Sequence, residues 1–202
     1  MKHTAKKLAS AAAALATMAA LTLALACSRE GWDRSEREVI LGQGEVMRIL
    51  TVESSEDSTI LREHCRDISV NELNDNIFRE LSRKMVTTLT DTDGGVGIAG
   101  PQVGVTRRIV VVQRFDKEGY PLEVYPNIRI TARRGEPVPG PEGCLSVPDR
   151  RGNVSRYQEI DISYTSMPEC RDTTETIIGF TAVIFQHECD HLDGVLYTDY
   201  LN

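Results

Sequence analysis

Apolar residues recur with the period of an α-helix along one segment in the first half of the chain. Five of them stand four residues apart: Leu73, Ile77, Leu81, Met85 and Leu89. On a helix this spacing gives one apolar stripe along a single face. Ser69 and Glu72 fit a capping box at its start, and the turn residues "DTDGG" follow its end. The pattern therefore predicts one amphipathic helix over residues 69–89.

Elsewhere the apolar pattern is typical of short strands. Alternating or β-branched residues predict strands at 47–52, 107–115, 123–133, 157–165 and 173–180. The segment "GEPVPGPEG" at 135–143, rich in glycine and proline, predicts a loop. A second helix is predicted at 181–192, with Gly194 placed to end it. Several strands and two helices that do not strictly alternate favour an α+β domain.

The first 27 residues differ in kind from the rest of the chain. A basic start, "MKHTAKK", precedes a long uncharged apolar stretch, and polar sequence begins after Cys27. This order predicts a signal peptide over residues 1–26. The letters "LALAC" resemble the lipobox of bacterial lipoproteins, so Cys27 is the expected lipidation site. We expect residues 28–46 to be a polar tether and residues 47–202 to be the folded domain. The alternatives are an uncleaved anchor and a true start at Met47.

Composition and charge limit the class of function. The chain has 202 residues, of which 26% are charged and 41% hydrophobic, as is ordinary for a soluble domain with a sizeable core. The formal net charge is −7, so there is no basic surplus to hold nucleic acid by its phosphates. We therefore expect no direct nucleic-acid binding.

The letters "QHECDH" at 186–191 indicate a metal site. On a helix, His187 and His191 lie one turn apart on one face, so both imidazoles reach one ion. Glu188 lies between them and is placed to hold a water. A divalent ion lowers the pKa of such a water to about 7, and the carboxylate takes its proton as it attacks a carbonyl. The competing interpretation is a polar helix face with two hydrogen-bonded histidines.

A catalytic metal site needs a third protein ligand and an open position. The sequence offers five candidates: His64, Cys65, Cys144, Cys170 and Asp190. Cys144 stands out in "PEGCLSVP", because Gly143 allows close backbone approach beside it. A thiolate with two imidazoles suits Zn²⁺ or Fe²⁺. Cys189 is expected to be a packed thiol, and Cys65 with Cys170 is a possible disulfide if the domain is exported.

The glycine-rich segment "GGVGIAGPQVGV" at 94–105 follows a predicted helix and leads into a strand. That order is the reverse of a dinucleotide-binding motif. We expect a loop whose backbone and one glutamine, Gln102, approach a small substrate.

Three segments in order resemble the motifs of the peptide deformylases: "GVGIAGPQVG" at 95–104, "EGCLS" at 142–146 and "QHECDH" at 186–191. The similarity covers about residues 47–202. It implies an α+β, deformylase-like catalytic domain, with mixed or antiparallel strands around a C-terminal metal-binding helix. It also implies a reaction, the metal-dependent removal of the formyl group from N-formyl-methionyl peptides or nascent chains, with release of formate.

The resemblance also implies residue roles. Three residues would bind one divalent ion, Fe²⁺ with Zn²⁺ or Ni²⁺ as substitutes: Cys144, His187 and His191. Glu188 would be the general acid and base, while Gln102 and the backbone N–H of Leu145 would stabilise the oxyanion. The peptide would bind in extended form, like an added strand. Its expected contacts are Gly97, Ile98, Gly143 and Arg151.

Among the departures from the family pattern, two bear on function. Gly100 stands where a second alanine is usual, and its backbone freedom is expected to loosen the loop that positions Gln102. The signal-like start is the larger departure, because deformylases normally act in the cytosol. It predicts a membrane-anchored lipoprotein on the exported side, held by lipidated Cys27, or a cytoplasmic enzyme if the start is near Met47.

Other functions stay open on the sequence alone. One is an anchored lipoprotein that binds metal or peptide without turnover, and another is an amidase or exported peptidase with a different substrate. Gln102, Leu145 and Glu188 are all present, and a pure binding protein would not need all three. We therefore favour an enzyme.

Overall fold

Five α-helices, eight β-strands and two short 3₁₀-helices (Gly100–Val103 and Tyr197–Tyr200) lie within residues 31–201, the part of the chain that the computed structural model describes. The helices are α1 (Arg34–Ile40), α2 (Ser55–Leu61), α3 (Val70–Leu73), α4 (Asn76–Thr90) and α5 (Gly179–Leu192). The strands are β1 (Gly97–Ala99), β2 (Ile109–Gln113), β3 (Leu122–Pro126), β4 (Arg129–Arg134), β5 (Val138–Cys144), β6 (Val147–Arg156), β7 (Glu159–Ser166) and β8 (Arg171–Ile178). The predicted signal peptide and Cys27 lie outside the described residues.

The strands pair in three antiparallel sheets, with the orders β1-β2-β3, β4-β7-β8 and β5-β6. Strand β2 is buried on both faces, which explains its continuous apolar run. Ile109 and Val111 pack in one core with the apolar side of α4. Val110 and Val112 pack in a second core with α5 and the sheet that contains β7. The predicted α+β class is confirmed.

The predicted helix over 69–89 is instead two helices, α3 and α4. The capping box is present at the start of α3, where the carboxylate of Glu72 accepts from the Ser69 N–H at 2.7 Å. Asp75 then caps α4, and its Oδ1 accepts from the Ile77 N–H at 3.2 Å. The apolar spacing continues through the break, so periodicity alone does not reveal it. All five residues of the stripe are buried.

The apolar segment 47–52 is not a strand. Its backbone N–H groups instead donate hydrogen bonds to residues in three different parts of the fold, not to one neighbouring strand. Met47 donates to Thr88 Oγ1 at 2.8 Å, and Leu50 donates to the carbonyl of Gln102 at 2.8 Å. Val52 donates to the carbonyl of Ser146 at 2.9 Å. This segment therefore ties α4 to two loops that carry candidate site residues.

Two further predictions at the sheet edges are wrong. The strand expected over 123–133 is two strands, β3 and β4, in different sheets. The chain turns between them at Asn127, whose φ of 58° suits an asparagine. The loop expected over 135–143 is largely β5, despite its prolines. Strand β5 pairs only with β6 among the described residues, and proline is tolerated on such an edge.

The expected tether is wrong where the structure describes it. Helix α1 packs on the domain and buries Glu36 and Ile40, and Trp32 before it is also buried. Arg107 Nε donates to Glu36 Oε1 at 2.8 Å, and the Arg107 guanidinium lies 4.7 Å from the centre of the Trp32 ring. A seven-residue helix with so few buried positions gives no detectable period, and the buried arginine that pairs with it lies far away in sequence.

The C-terminal helix forms close to its predicted bounds. Helix α5 ends near Gly194, which adopts a φ of 72°. The four cysteines of the described residues are free thiols, so Cys65 and Cys170 form no disulfide. Cys189 is a packed thiol as predicted, and burial raises its pKa to about 12. Within residues 31–201, no helix is both long and apolar enough to cross a bilayer.

Candidate active site

Helix α5 presents two faces. Phe185, Cys189 and Leu192 are buried in the apolar core behind it. His187 and His191 turn to the other side, with ring centres 5.0 Å apart, as the helical spacing predicts. Burial lowers the pKa of His191 well below its usual value, which favours the neutral imidazole that a metal requires.

Cys144 comes to the same point from the end of β5. Its Sγ lies 3.1 Å from Nε2 of His191. One donor atom from each of Cys144, His187 and His191 lies within 4.8 Å of the other two. A thiolate and two imidazoles fit a divalent ion such as Zn²⁺ or Fe²⁺ and leave a position open for substrate.

The other candidate ligands lie elsewhere. His64 is exposed, as expected of a surface residue, and Cys65 is buried with a pKa raised to about 12. Cys170 is hydrogen-bonded in the turn before β8. Asp190 accepts from Arg156 Nη1 at 2.6 Å. The structure thus leaves Cys144 as the third member of the group.

Glu142 is a site residue that the sequence analysis missed. Its Oε2 lies 2.8 Å from Nδ1 of His187, which leaves Nε2 of that ring for a metal. Arg156 Nε also donates to its Oε1 at 2.7 Å. Burial opposes ionisation of Glu142, but the hydrogen bonds from His187 and Arg156 outweigh it and lower its pKa to about 2. Glu142 stands two residues before Cys144, but its role depends on contacts that spacing does not reveal.

Glu188 is a buried carboxylate whose second oxygen has no protein partner. Oε2 is inaccessible and makes no hydrogen bond within the described residues. Burial is the main cause that raises the pKa of Glu188, to about 7. A β-carbon on Gly97 would lie 2.4 Å from its Oε1, so any larger residue there would displace the carboxylate. A buried polar atom without a partner is rare in proteins and indicates a place for a ligand or water.

Gln102 is held with its amide nitrogen toward the cysteine. Its Oε1 accepts from the Ala99 N–H at 2.8 Å, which fixes the amide orientation. Its Nε2 then donates to Ser146 Oγ at 3.2 Å and lies 3.6 Å from Cys144 Sγ. The loosening of this loop by Gly100 stays a prediction, but the residue has a packing role as well. A β-carbon there would meet the carbonyl oxygen of Arg107 at 2.6 Å, so Gly100 permits a close backbone contact.

These residues line a cavity of about 670 Å³. The predicted site residues found on its wall are Gly97, Gln102, Gly143, Cys144, Leu145, Arg151, His187 and Glu188. His191 is buried beside Cys144. Ile98 is fully buried in the core, so only its backbone in β1 is available. Among residues 31–201, β1 pairs only with β2, so its other edge has no strand partner, and Gly97 of β1 lines the cavity.

A buried carboxylate beside a cysteine and two histidines, in an open cleft, defines the site of a metal-dependent hydrolase. A profile of the polypeptide deformylase family matches residues 46–202. The chain belongs to that family, and as its member it is a metal-dependent enzyme.

Named relatives agree with this assignment. A peptide deformylase of Leptospira biflexa is 42% identical over 149 residues, which are 70% of this chain and 82% of the relative. An actinonin-bound class I type b peptide deformylase from Acinetobacter baumannii superposes with a TM-score of 0.68 at 32% identity, covering 78% of this chain and 99% of that one. The same enzyme with bound Met-Ala-Ser superposes with a TM-score of 0.68 at 35% identity, covering 77% of this chain and 98% of that one.

Proposed function

We propose that this chain hydrolyses the formyl amide of N-formyl-methionyl peptides, releasing formate and a free amino terminus. The observation that carries the proposal is the buried Oε2 of Glu188, which has no partner in the described residues and lies beside the cysteine and histidine cluster. The relative crystallised with Met-Ala-Ser, a deformylated peptide, supports a peptide substrate. The alternatives without turnover give no reason for a buried carboxylate at this point.

Cys144, His187 and His191 would hold one divalent ion, and we propose Fe²⁺ as the native one, with Zn²⁺ or Ni²⁺ as substitutes. When bound, the ion supplies a water of lowered pKa and withdraws electrons from the formyl carbonyl. Glu142 would keep His187 in the ligating tautomer through its hydrogen bond to Nδ1.

Glu188 would move the proton. Its carboxylate takes a proton from the attacking water and delivers it to the amide nitrogen, so the C–N bond breaks with formate and a free amine as products. The absence of a β-carbon on Gly97 leaves room for this carboxylate against the backbone of β1. General acid–base catalysis of this kind contributes about 10²–10⁴-fold to rate.

Gln102 and Leu145 would stabilise the developing oxyanion. The Gln102 amide is already oriented by the Ala99 N–H, so its Nε2 needs no reorganisation during the reaction. The N–H of Leu145 directly follows the ligand Cys144 in a tight turn. The peptide backbone would lie between the open edges of β1 and β5, near Gly97 and Gly143.

The test is formate release from formyl-Met-Ala by the chain loaded anaerobically with Fe²⁺ or Ni²⁺. We expect Glu188→Gln to keep its metal and to lose about 10²–10⁴-fold in kcat, and Cys144→Ala to lose metal. Glu159→Gln, on the exposed surface of β7, is the matched control and should keep full activity. Tight metal binding by the wild type without formate release would instead support the binding protein.

We further propose that Cys27 is lipidated and that the enzyme acts on the exported side of a membrane. The order of basic, apolar and polar segments around Cys27 supports this location. A start at Met47, which would make the enzyme cytoplasmic, would also delete Trp32 and Glu36, both buried against the domain. Mass spectrometry of the protein from its native membrane would find an acylated Cys27; an unmodified N-terminus near Met47 would exclude it.

A further inference from the structure

Two adjacent arginines, Arg150 and Arg151, both line the wall of the active-site cavity. Successive residues of a regular strand point to opposite faces, so a regular β6 would turn one of them away. The β5-β6 ladder is irregular at this point. Gly143 pairs with Arg151, but the next residue, Cys144, pairs with Val147. Residues 148–150 are therefore left without partners on β5, and this bulge brings Arg150 to the cavity.

Backbone conformation supports the same interpretation. Asp149, in the middle of the bulge, adopts a φ of 57°, in the left-handed region. Such a residue changes the direction of the strand and re-aims the side chain after it. The bulge is thus what places a second positive charge beside Arg151 at the cavity.

Neither arginine is neutralised by the protein. Both are exposed, and no carboxylate within residues 31–201 forms an ion pair with either one. Most other arginines within the described residues form an ion pair, Arg156 with Glu142 among them. Asp93 and Asp149 also line the cavity, but they form no ion pair with the two arginines. The pair is therefore available to a negative group from outside.

A peptide bound along β5 would pass close to this pair. A β-carbon on Gly143 would lie 3.6 Å from Cγ and 3.9 Å from Cζ of Arg151, so the guanidinium lies directly over the backbone of β5. Gly143 precedes the ligand Cys144, where the formyl group must react. An extended peptide advances about 3.3 Å per residue. We therefore expect its second or third residue after the formyl group to lie nearest the arginines.

We propose that Arg150 and Arg151 bind a carboxylate of the substrate and make the enzyme selective for formyl-peptides that are acidic near their second or third residue. This inference rests on the proposed deformylase activity and specifies its substrate class. The carboxylate comes either from an Asp or Glu side chain or from the C-terminus of a short peptide. Arginine pairs well with either, because its planar guanidinium matches the geometry of a carboxylate.

The experiment compares peptides that differ only in charge. The side-chain arm measures kcat/KM for formyl-Met-Ala-Asp amide against formyl-Met-Ala-Asn amide. The C-terminal arm compares formyl-Met-Ala-Ala as the free acid with its amide. An exposed charge pair is worth up to about 1 kcal/mol, so we expect an acidic preference of about fivefold in at least one arm at low salt. High salt should reduce it.

In the arm that shows the acidic preference, Arg150→Gln and Arg151→Gln should each bring the ratio of kcat/KM, acidic over neutral peptide, close to one. Arg133→Gln, an exposed arginine of β4 away from the cavity, is the matched control and should retain the preference. A ratio near one in the wild type, or a preference that survives Arg150→Gln, would overturn the proposal.

A second readout separates this inference from the activity on which it rests. Calorimetric binding of the product peptides Met-Ala-Asp amide and Met-Ala-Asn amide needs no turnover. Suppose that the acidic product binds more tightly, that Arg150→Gln abolishes this preference, and that no peptide releases formate. That result would support the role of the arginine pair and reject the deformylase activity. Turnover without an acidic preference in either arm would support the deformylase and reject the carboxylate-binding role of the arginine pair.

Discussion

The protein buries charge in two places, and the two differ in how fully the charges are paired. Around Arg107, which is 1% exposed, Nε donates to Glu36 and Nη1 donates to Glu72 at 2.7 Å. We call these three residues the Arg107 cluster. Around Glu188, one carboxylate oxygen and Nδ1 of His191 are buried without hydrogen bonds in the described residues. We call Glu188 and the three candidate ligands the Glu188 cluster.

The contrast separates structure from chemistry. Burying an ion costs free energy that only good pairing offsets, and the Arg107 cluster has such pairing. The Glu188 cluster keeps donors and acceptors available at a cost in stability, as functional sites often do. Both contain charged residues from distant parts of the sequence, so burial alone would not distinguish them. Unpartnered atoms on the charged residues of the cluster itself do, although Trp32 Nε1 beside Arg107 is also buried without a hydrogen bond.

The largest expected effect comes from breaking the Arg107 cluster. Glu36→Gln leaves a buried arginine with one carboxylate fewer, and we expect the free energy of unfolding to fall by about 3 kcal/mol. Urea unfolding of the metal-loaded protein measures it. Glu38→Gln on the same helix breaks only an exposed pair with Arg34 and should change stability by less than about 0.5 kcal/mol. Equal losses in the two variants would contradict a structural role for the cluster.

The next effect concerns the support of the Glu188 cluster. Glu142→Gln removes the negative charge beside Nδ1 of His187, and we expect the Kd for Zn²⁺ to rise about 10–100-fold. Competition against a chromogenic chelator measures it, with Glu159→Gln as the exposed control. An unchanged Kd would mean that Glu142 serves only its ion pair with Arg156.

The smallest effect is expected from Glu188 itself, measured as stability rather than rate. Glu188→Gln replaces a buried carboxylate by a neutral amide of the same shape. The free energy of unfolding of the metal-free protein should stay the same or rise by about 1 kcal/mol. Thermal unfolding against the wild type tests this. A loss comparable to that of Glu36→Gln would show that the two clusters do not differ as described.

The sequence predicts the site better than the elements around it. The i and i+4 histidines and the intervening glutamate fall on α5, because an α-helix fixes their geometry locally. Cys144 joins them from the end of β5, and its setting beside Gly143 together with the resemblance across three motifs selects it from five candidates. Glu142 and Arg156 could not be found in this way, since their roles depend on contacts across the fold.

The errors in the fold have related causes. Residues 135–143 carry turn-forming residues, but an edge strand tolerates proline because one side needs no hydrogen bonds. Residues 32–40 are polar by composition. Glu36 is nevertheless buried, because it forms an ion pair with Arg107, which lies 71 positions later in the sequence. A local sequence pattern shows neither that a strand lies at the edge of a sheet nor that a residue pairs with a distant one. Strand β5 and helix α1 could therefore be identified only from the folded structure.

The bulge at 148–150 also bears on how such an enzyme changes during evolution. The ladder is anchored on both sides of it, by Cys144 with Val147 and by Gly143 with Arg151. Residues within the bulge can vary without moving the metal ligand, because they hold no partner on the neighbouring strand. If Arg150 selects the substrate as proposed, changes at these three positions would alter substrate preference and leave the catalytic groups in place.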